Sequence, residues 1–379
     1  MAGIYIHIPF CRKLCSYCDF YHVMSGDEIP AFLNALNKEM EFRKDYLGRE
    51  TVSTIYLGGG TPSVLTADQT GAILDRIREN FIIADENEIT IEVNPDDVTG
   101  EYMKELRKTG INRVSIGVQS WRDEDLRFLN RRHDAKQSEN AINSALNAGF
   151  TNVTIDLIYG IPGLSSQAWA ENLDKSFSTA ISHLSAYHLT IEPGTVFGKQ
   201  KAKGLFSEID EEESNLQFSI LNEKAAEAGF ICYEISNFGK PGFFSIHNTN
   251  YWKQVPYLGL GPSAHSFNRY SRQWNIPDVK KYIRFAGTDH QVTEMEELSI
   301  KMKFNEYIMT SLRTMWGVDL DYIEQAFEKE GYDYVMNTAG KYINYGLMRQ
   351  EKNTLVLTDQ GMMISDNIIS GFMMPADNE

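Results

Sequence analysis

The chain has 379 residues, 42% hydrophobic and 23% charged, and 36 Lys and Arg against 52 Asp and Glu give a net charge of −16. This is the mix of a globular protein, at about 150 residues per domain roughly two to three of them, and it excludes wholesale disorder. The acidic balance argues against a nucleic-acid binder, which needs a basic face, though it leaves room for a small local basic patch.

Short β-rich runs recur at 4–8, 54–57, 89–93, 113–118, 153–158 and 184–191. Between them lie stretches with helical apolar spacing at 29–42, 67–77, 102–106, 138–148 and 168–177. Strand–helix alternation predicts a parallel sheet with crossover helices over residues 1–195. Six units are too few for a closed eight-unit barrel. They suit either an open partial barrel or a doubly wound sheet, which periodicity does not separate. Residues 196–290 form a less regular extension: a charged linker, an acidic helix at 208–228, a strand at 230–236 and an aromatic, loop-rich stretch from 247 to 270. Residues 291–379 read as mainly helical, at 298–312, 320–329 and 334–344, with a short β signal at 355–357 and a last helix. That order suggests a small winged-helix-like module, serving as a lid or packing domain. No stretch reaches the ~20 apolar residues of a membrane helix. The N-terminus lacks the positive n-region of a signal peptide, so a cytoplasmic protein is expected.

Three of the four cysteines, Cys11, Cys15 and Cys18, fall on one loop just after the first predicted strand. A disulfide framework would spread its cysteines along the chain, whereas crowded thiols read as a metal or cluster site. A cubane iron–sulfur cluster normally takes four thiolates. Three would leave one iron open to an exchangeable ligand, for which an amino-carboxylate is suited. The competing reading is a zinc knuckle completed by His22. Cys232 stands alone and reads as a small buried apolar residue.

In βα architectures ligands gather at the carboxyl ends of the strands. The second strand ends in Gly58-Gly59-Gly60-Thr61-Pro62, a run that lets backbone approach a ligand closely. The third ends in Glu92-Val93-Asn94-Pro95, the fourth in Gly117-Val118-Gln119-Ser120 with Arg131 beyond, and the fifth carries Asp156-Leu157-Ile158-Tyr159-Gly160. Each polar residue alone could be a cap or a satisfied buried group. Glu92, Gln119 and Asp156 on three successive strand ends point to a binding site.

Cys11-x3-Cys15-x2-Cys18, with Tyr17 before the last cysteine, resembles the radical S-adenosylmethionine (SAM) superfamily. In that superfamily the amino and carboxylate groups of SAM chelate the fourth iron, and reduction cleaves the sulfonium C–S bond. Tyr5-Ile6-His7-Ile8-Pro9-Phe10-Cys11, together with the strand-end motifs above, resembles the oxygen-independent coproporphyrinogen III oxidase group over about residues 2–270. The resemblance implies an open six-unit partial TIM-like barrel. It implies that Cys11, Cys15 and Cys18 ligate a [4Fe–4S] cluster and that Tyr5, Gly59, Gly60, Thr61 and Glu92 contact SAM. It places Tyr17, Gln119, Arg131 and Asp156 where the oxidases hold SAM, in part a second molecule.

The oxidases carry a fourth cysteine two residues after the third, where this chain has Phe20, and an N-terminal arm before the cluster motif. Both departures fit a sister branch, the heme chaperone HemW family. That branch resembles this chain again at His247-Asn248-Thr249-Asn250-Tyr251-Trp252, a segment associated there with heme binding. Histidine is a common axial ligand of heme iron, and Tyr251 and Trp252 could pack against a macrocycle. A buried structural histidine beside core aromatics is the alternative. The expected function is then heme binding and transfer to an acceptor protein, with peripheral membrane contact through that acceptor. The alternative is a coproporphyrinogen III dehydrogenase. Gly259-x-Gly261-x-x-Ala264 matches a dinucleotide fingerprint on paper, but it holds Pro262 and sits late, in an aromatic loop. It is read instead as closing the SAM pocket.

Overall fold

The computed structural model describes residues 1–290 and 293–375. Six strands follow one another across a sheet, all parallel: β1 (Ala2–Ile8), β2 (Val52–Gly59), β3 (Ile83–Val93), β4 (Arg113–Gln119), β5 (Asn152–Tyr159) and β6 (His183–His188). A doubly wound sheet would reverse its order at a switch point. This one does not, so the sheet is an open partial barrel.

Residue alternation explains the curl. On one face β1 to β6 present Ile4, Ile6, Ile8, Ile55, Leu57, Ile89, Ile91, Val114, Ile116, Val153, Ile155, Leu157 and Leu184, all buried. Fully burying such a side chain stabilises by about 1.5–3 kcal/mol. The helices Ile29–Phe42, Ala67–Asn80, Gly100–Thr109, Ala135–Asn147 and Ser166–Phe177 cover that face with Leu36, Leu74, Met103, Ile142 and Leu173. Four of the five starts are fixed by side-chain caps. Thr66 and Asp134 form capping boxes with Gln69 and Gln137, and Thr99 and Ser165 accept backbone N–H groups. The opposite face alternates in polar residues and is left uncovered by these five helices, so that above the short helix Ile246–Trp252, which packs on Thr54 and Tyr56, it lines a lumen.

The sheet continues past both ends of the barrel. Beyond β6 lie β7 (Ile231–Glu234) and β8 (Asn237–Gly239), an antiparallel pair. Beyond β1 lie β9 (Tyr257–Leu260), β10 (His265–Phe267), β11 (Ser271–Asn275) and β12 (Thr293–Glu297). β9 runs parallel to β1, with Gly3 opposite Tyr257 and Ile6 opposite Leu260. Two expectations for this region are corrected. The stretch 247–270 is not mainly loop, because it forms the helix Ile246–Trp252 and strands β9 and β10. The Leu258-to-His265 run does not close the SAM pocket, because it lies on the far side of β1, with Gly259 pressed against the backbone of His265. Buried Arg43 anchors the region, donating to the Gly259 carbonyl at 3.0 Å and to Ser266 Oγ at 3.1 Å.

A second apolar cluster, separate from the barrel core, gathers Phe304, Ile308, Leu312, Ile323, Val335, Leu355, Ile368 and Phe372. Its helices are Ile300–Ser311, Leu320–Asn344, Asp359–Met363 and Ser365–Phe372. The long one is interrupted at Phe327 and Glu328, where Glu328 has φ 59°, so two helices meet there as the spacing predicts. A three-stranded sheet of β13 (Val318–Asp319), β14 (Met348–Glu351) and β15 (Thr354–Leu357), in the order β13-β15-β14, completes the winged-helix-like arrangement. Among the described residues no helix is long and apolar enough to cross a membrane.

Candidate functional site

The inner face of the barrel encloses a cavity of about 390 Å³. Period-two alternation sets its lining: Tyr56 from β2, Glu92 from β3, Arg113, Ser115, Gly117 and Gln119 from β4, Asp156 and Ile158 from β5, Ser185 and Tyr187 from β6. The loop after β1 covers the mouth and contributes Cys11, Cys15, Tyr17 and Cys18. That loop is closed on itself, since Cys11 N–H donates to the Val23 carbonyl at 2.9 Å and Val23 N–H to the Pro9 carbonyl at 2.7 Å. It is also pinned from outside. Asn130 Nδ2 donates to the Leu14 carbonyl at 2.7 Å, and Phe197 N–H donates to the Ser16 carbonyl at 2.9 Å.

The thiols are held from the barrel side. Thr61 Oγ1 donates to Cys11 Sγ at 3.4 Å, and the Arg131 guanidinium donates to Cys15 Sγ at 3.3 Å. Arg131 also reaches Tyr17 Oη at 3.4 Å, Asn94 Oδ1 at 2.7 Å and the Gly117 carbonyl at 3.0 Å. Burial pushes the Cys11 thiol up and the Cys18 thiol to about 11. These thiols keep their protons until a metal replaces them. Among the described residues no three His, Cys, Asp or Glu side chains converge on a point where one metal ion would sit. His22 turns its Nδ1 to the Phe20 carbonyl at 2.7 Å. The geometry therefore disfavours the zinc knuckle and fits a group that offers each thiolate its own metal.

The glycine turn is built for close approach. Gly59 has φ 108°, and a Cβ there would sit 2.6 Å from the His7 ring, while one on Gly60 would sit 2.8 Å from the Ile8 carbonyl oxygen. Gly59 N–H donates to Glu92 Oε2 at 3.2 Å, and Tyr56 Oη donates to Glu92 Oε1 at 2.7 Å. Burial raises the Glu92 carboxyl to about 7, against the pull of Tyr56. Burial likewise raises Asp156 to about 6, against its hydrogen bond from Ser115 Oγ at 3.0 Å. Two buried carboxyls raised this far favour a cationic ligand, which would hold them fully ionised. Gln119 has φ 65° at the end of β4, a strained backbone of the kind functional sites keep.

Eleven residues expected from sequence thus share one cavity: the three cysteines with Tyr17, Gly59, Gly60, Thr61, Glu92, Gln119, Arg131 and Asp156. Tyr5 does not line it. It is the register partner of Tyr56 on the neighbouring strand, its ring stacked beside Tyr56 at 6.1 Å between centroids, and its hydroxyl lies 3.2 Å from His7 Nδ1. His247, Tyr251 and Trp252 also lie outside it. His247 is buried between Thr54 Oγ1, 2.9 Å from Nδ1, and Tyr251 Oη, 2.9 Å from Nε2. Burial lowers its pKa to about 3, so it stays neutral. Its ring stacks on Tyr56 at 5.1 Å, and Glu88 accepts its backbone N–H at 2.9 Å. The helix Ile246–Trp252 nevertheless touches the cavity, through Asn248. Sequence reasoning passed over Asn248, Tyr56, Arg113, Ser115, Ser185 and Tyr187. The signal was there: apart from Ile158, every second residue of buried strands β4 to β6 on this face is polar or small. Cys232 is half-buried at the barrel edge, its thiol donating to the Glu234 carbonyl at 3.3 Å.

An open parallel barrel whose first loop carries three thiols over a cavity of buried carboxyls defines a radical SAM protein, and the model of the Radical SAM superfamily matches residues 5–175. Among known proteins, the heme chaperone HemW of Lactococcus lactis subsp. lactis (strain IL1403) is 33% identical over 371 residues, 98% of this chain and 97% of that protein. A Danio rerio protein named radical S-adenosyl methionine domain-containing protein 1, mitochondrial, is 33% identical over 378 residues, 96% of this chain and 83% of its own. The chain belongs to the HemW family. Among solved structures, coproporphyrinogen III oxidase (HemN) from Escherichia coli, a radical SAM enzyme, superposes with a TM-score of 0.83 at 25% identity, covering 98% of this chain and 90% of that one.

Proposed function

We propose that this protein is a heme chaperone that binds heme and passes it to an acceptor protein, carrying a [4Fe–4S] cluster and SAM on the barrel. The observation that carries the reading is near-full-length similarity to proteins named heme chaperone HemW, at 31% to 33% identity. In this reading Cys11, Cys15 and Cys18 hold the cluster and leave one corner for the amino-carboxylate of SAM. Gly59, Gly60, Thr61 and Glu92 receive the amino group, and Tyr17, Gln119, Arg131 and Asp156 complete the pocket. Tyr5 supports it through Tyr56. The chemistry such a cofactor pair supplies is one-electron cleavage of a sulfonium C–S bond. The chain's own part is to orient the ligand, to keep water from the cavity and to balance charge with Glu92, Asp156 and Arg131.

His247, Tyr251 and Trp252 belong to the heme-binding segment. Because both His247 nitrogens already meet hydroxyls, its part is to hold the helix, and Trp252 is the side chain that reaches a ligand. The division into a barrel (1–195), its extension (196–290) and a C-terminal module (291–379) is retained, although residues 291 and 292 and the last four lie outside those described. A cytoplasmic location, with membrane contact only through the acceptor, completes the proposal.

Anaerobic titration of cluster-loaded protein with hemin tests it. A stoichiometric Soret shift is expected, and its absence defeats the reading. The oxidase-like fold favours a second reading, oxidative decarboxylation of coproporphyrinogen. Phe20, exposed at the rim of the cavity, stands against it. Formation of protoporphyrinogen under reducing, anaerobic conditions would restore it.

A further inference from the structure

The helix Ile246–Trp252 is a wall between two cavities. Asn248 faces the cluster cavity, and Trp252 faces a second cleft of about 540 Å³ between the barrel extension and the C-terminal module. That volume lies within the roughly 300–1,000 Å³ of ordinary ligand pockets. Aromatic side chains from both sides line it: Trp252 from the barrel extension, Trp316 and Tyr322 from the module. Three cations stand among them. Lys253 Nζ lies 4.3 Å over the Trp316 ring, Lys303 Nζ lies 5.2 Å over Tyr270, and Arg269 reaches Glu50 only at 3.8 Å.

The acids of the cleft are already engaged. Glu306 pairs with Arg272 at 2.9 Å, and Asp319 caps the helix Leu320–Asn344 by accepting Asp321 N–H at 2.9 Å. On a chain of net charge −16, a cleft with three cations and committed acids is a local reversal of sign. Apolar, flat walls with cations on the rim suit a planar macrocycle that bears carboxylates. No histidine, cysteine or methionine lines the cleft among the described residues. Of the two tyrosines that line it, Tyr307 Oη already accepts the Asp319 N–H at 2.9 Å and Tyr322 packs on the Tyr307 ring at 4.4 Å between centroids, so recognition there rests on the macrocycle and its carboxylates and not on a ligand to iron.

We propose that this inter-domain cleft is the tetrapyrrole site, that Trp252 and Trp316 hold the ring, and that Lys253, Lys303 and Arg269 take its propionates. The proposal rests on the heme-chaperone reading and specifies where and how that ligand sits. A site of this kind does not need iron, so it binds metal-free protoporphyrin about as well as hemin. It also leaves the macrocycle one edge open to solvent, from which an acceptor could draw it.

The test uses the full-length, cluster-loaded protein, titrated anaerobically with hemin and with metal-free protoporphyrin, in the wild type and in a Lys253→Glu/Lys303→Glu double variant. Both ligands should bind the wild type with similar affinity, and the double variant should weaken both by about tenfold or more, since reversing two rim charges removes attraction and adds repulsion. Unchanged iron content and SAM binding show that the variant is folded. Hemin binding without protoporphyrin binding overturns the inference, as does equal binding by the double variant, and both leave the chaperone reading standing. Displacement of either porphyrin by excess SAM would put the ligand in the first cavity and overturn it too. A wild type that binds no hemin defeats the chaperone reading itself.

Discussion

The two cavities on either side of the helix Ile246–Trp252 are built in opposite ways. The first lies inside one sheet, and its side chains come from alternate positions of consecutive strands. The second lies between two cores, and its side chains come from a helix end, surface strands and a separate module. The first keeps carboxyls under burial, which raises Glu92 to about 7 and Asp156 to about 6 and favours a cation beside them. The second keeps its cations, Lys253, Lys303 and Arg269, along its lining. A small charged cofactor therefore suits the first and a large flat anion the second. The difference teaches that one short helix can serve two ligands when its successive side chains face different walls.

The largest expected effect that could break the comparison is Cys15→Ala. Iron content after anaerobic reconstitution should fall to background, because two thiolates cannot hold the cubane, while porphyrin binding persists if the protein stays folded. Simultaneous loss of both would mean one site and not two. Next in size is His247→Ala in the wall itself. It strands the hydroxyls of Thr54 and Tyr251 and removes the stack on Tyr56, so denaturant unfolding should show a loss of about 2–4 kcal/mol. The hemin Soret maximum should not move if, as proposed, the cleft holds the porphyrin without an imidazole on its iron. A moved maximum would return His247 to that role.

A pH series sharpens the contrast. The Glu92 carboxyl titrates near 7 when the cavity lacks a cation, so ligand affinity for SAM should drop about tenfold between pH 8 and pH 6. Glu92→Gln should flatten that profile, and calorimetry or equilibrium dialysis would read it. The sign for stability is the reverse. The unliganded fold binds this proton more tightly than the unfolded chain does, so its contribution is full below about 4.5 and is lost as pH rises through about 7. The smallest expected effect is Gln119→Gly. It releases a left-handed backbone at φ 65°, so stability should change by less than about 1 kcal/mol while SAM affinity falls. A large loss of stability instead would make Gln119 a structural residue.

Much of the first cavity was legible in the sequence. Cys11, Cys15 and Cys18 sit on one loop, and Glu92, Gln119 and Asp156 end successive strands, because covalent spacing and strand periodicity place them before any packing is known. Arg131 could be named but its reach to Cys15, Asn94 and Gly117 could not, since that depends on a loop folding back under the cluster turn. Tyr5 lies on the same sheet face as Tyr56 but one strand away from the cavity lining, a place set by the register of β1 with β2. The aromatic stretch after 246 read as loop because its helix is short and its strands have few residues, too few for a period to show.

By itself the sequence determined the alternation of strands and helices, the chemistry of the cysteine loop and the acidic ground against which a basic patch stands out. These follow from local spacing and composition, which a chain carries in any conformation. Tertiary structure alone decided the unreversed strand order that makes the sheet a barrel, the inward burial of His247, and the placing of Trp252 and Trp316, 64 positions apart in the chain, on one cleft. Those depend on which surfaces pack together, a choice made by the whole core and by no single segment of it.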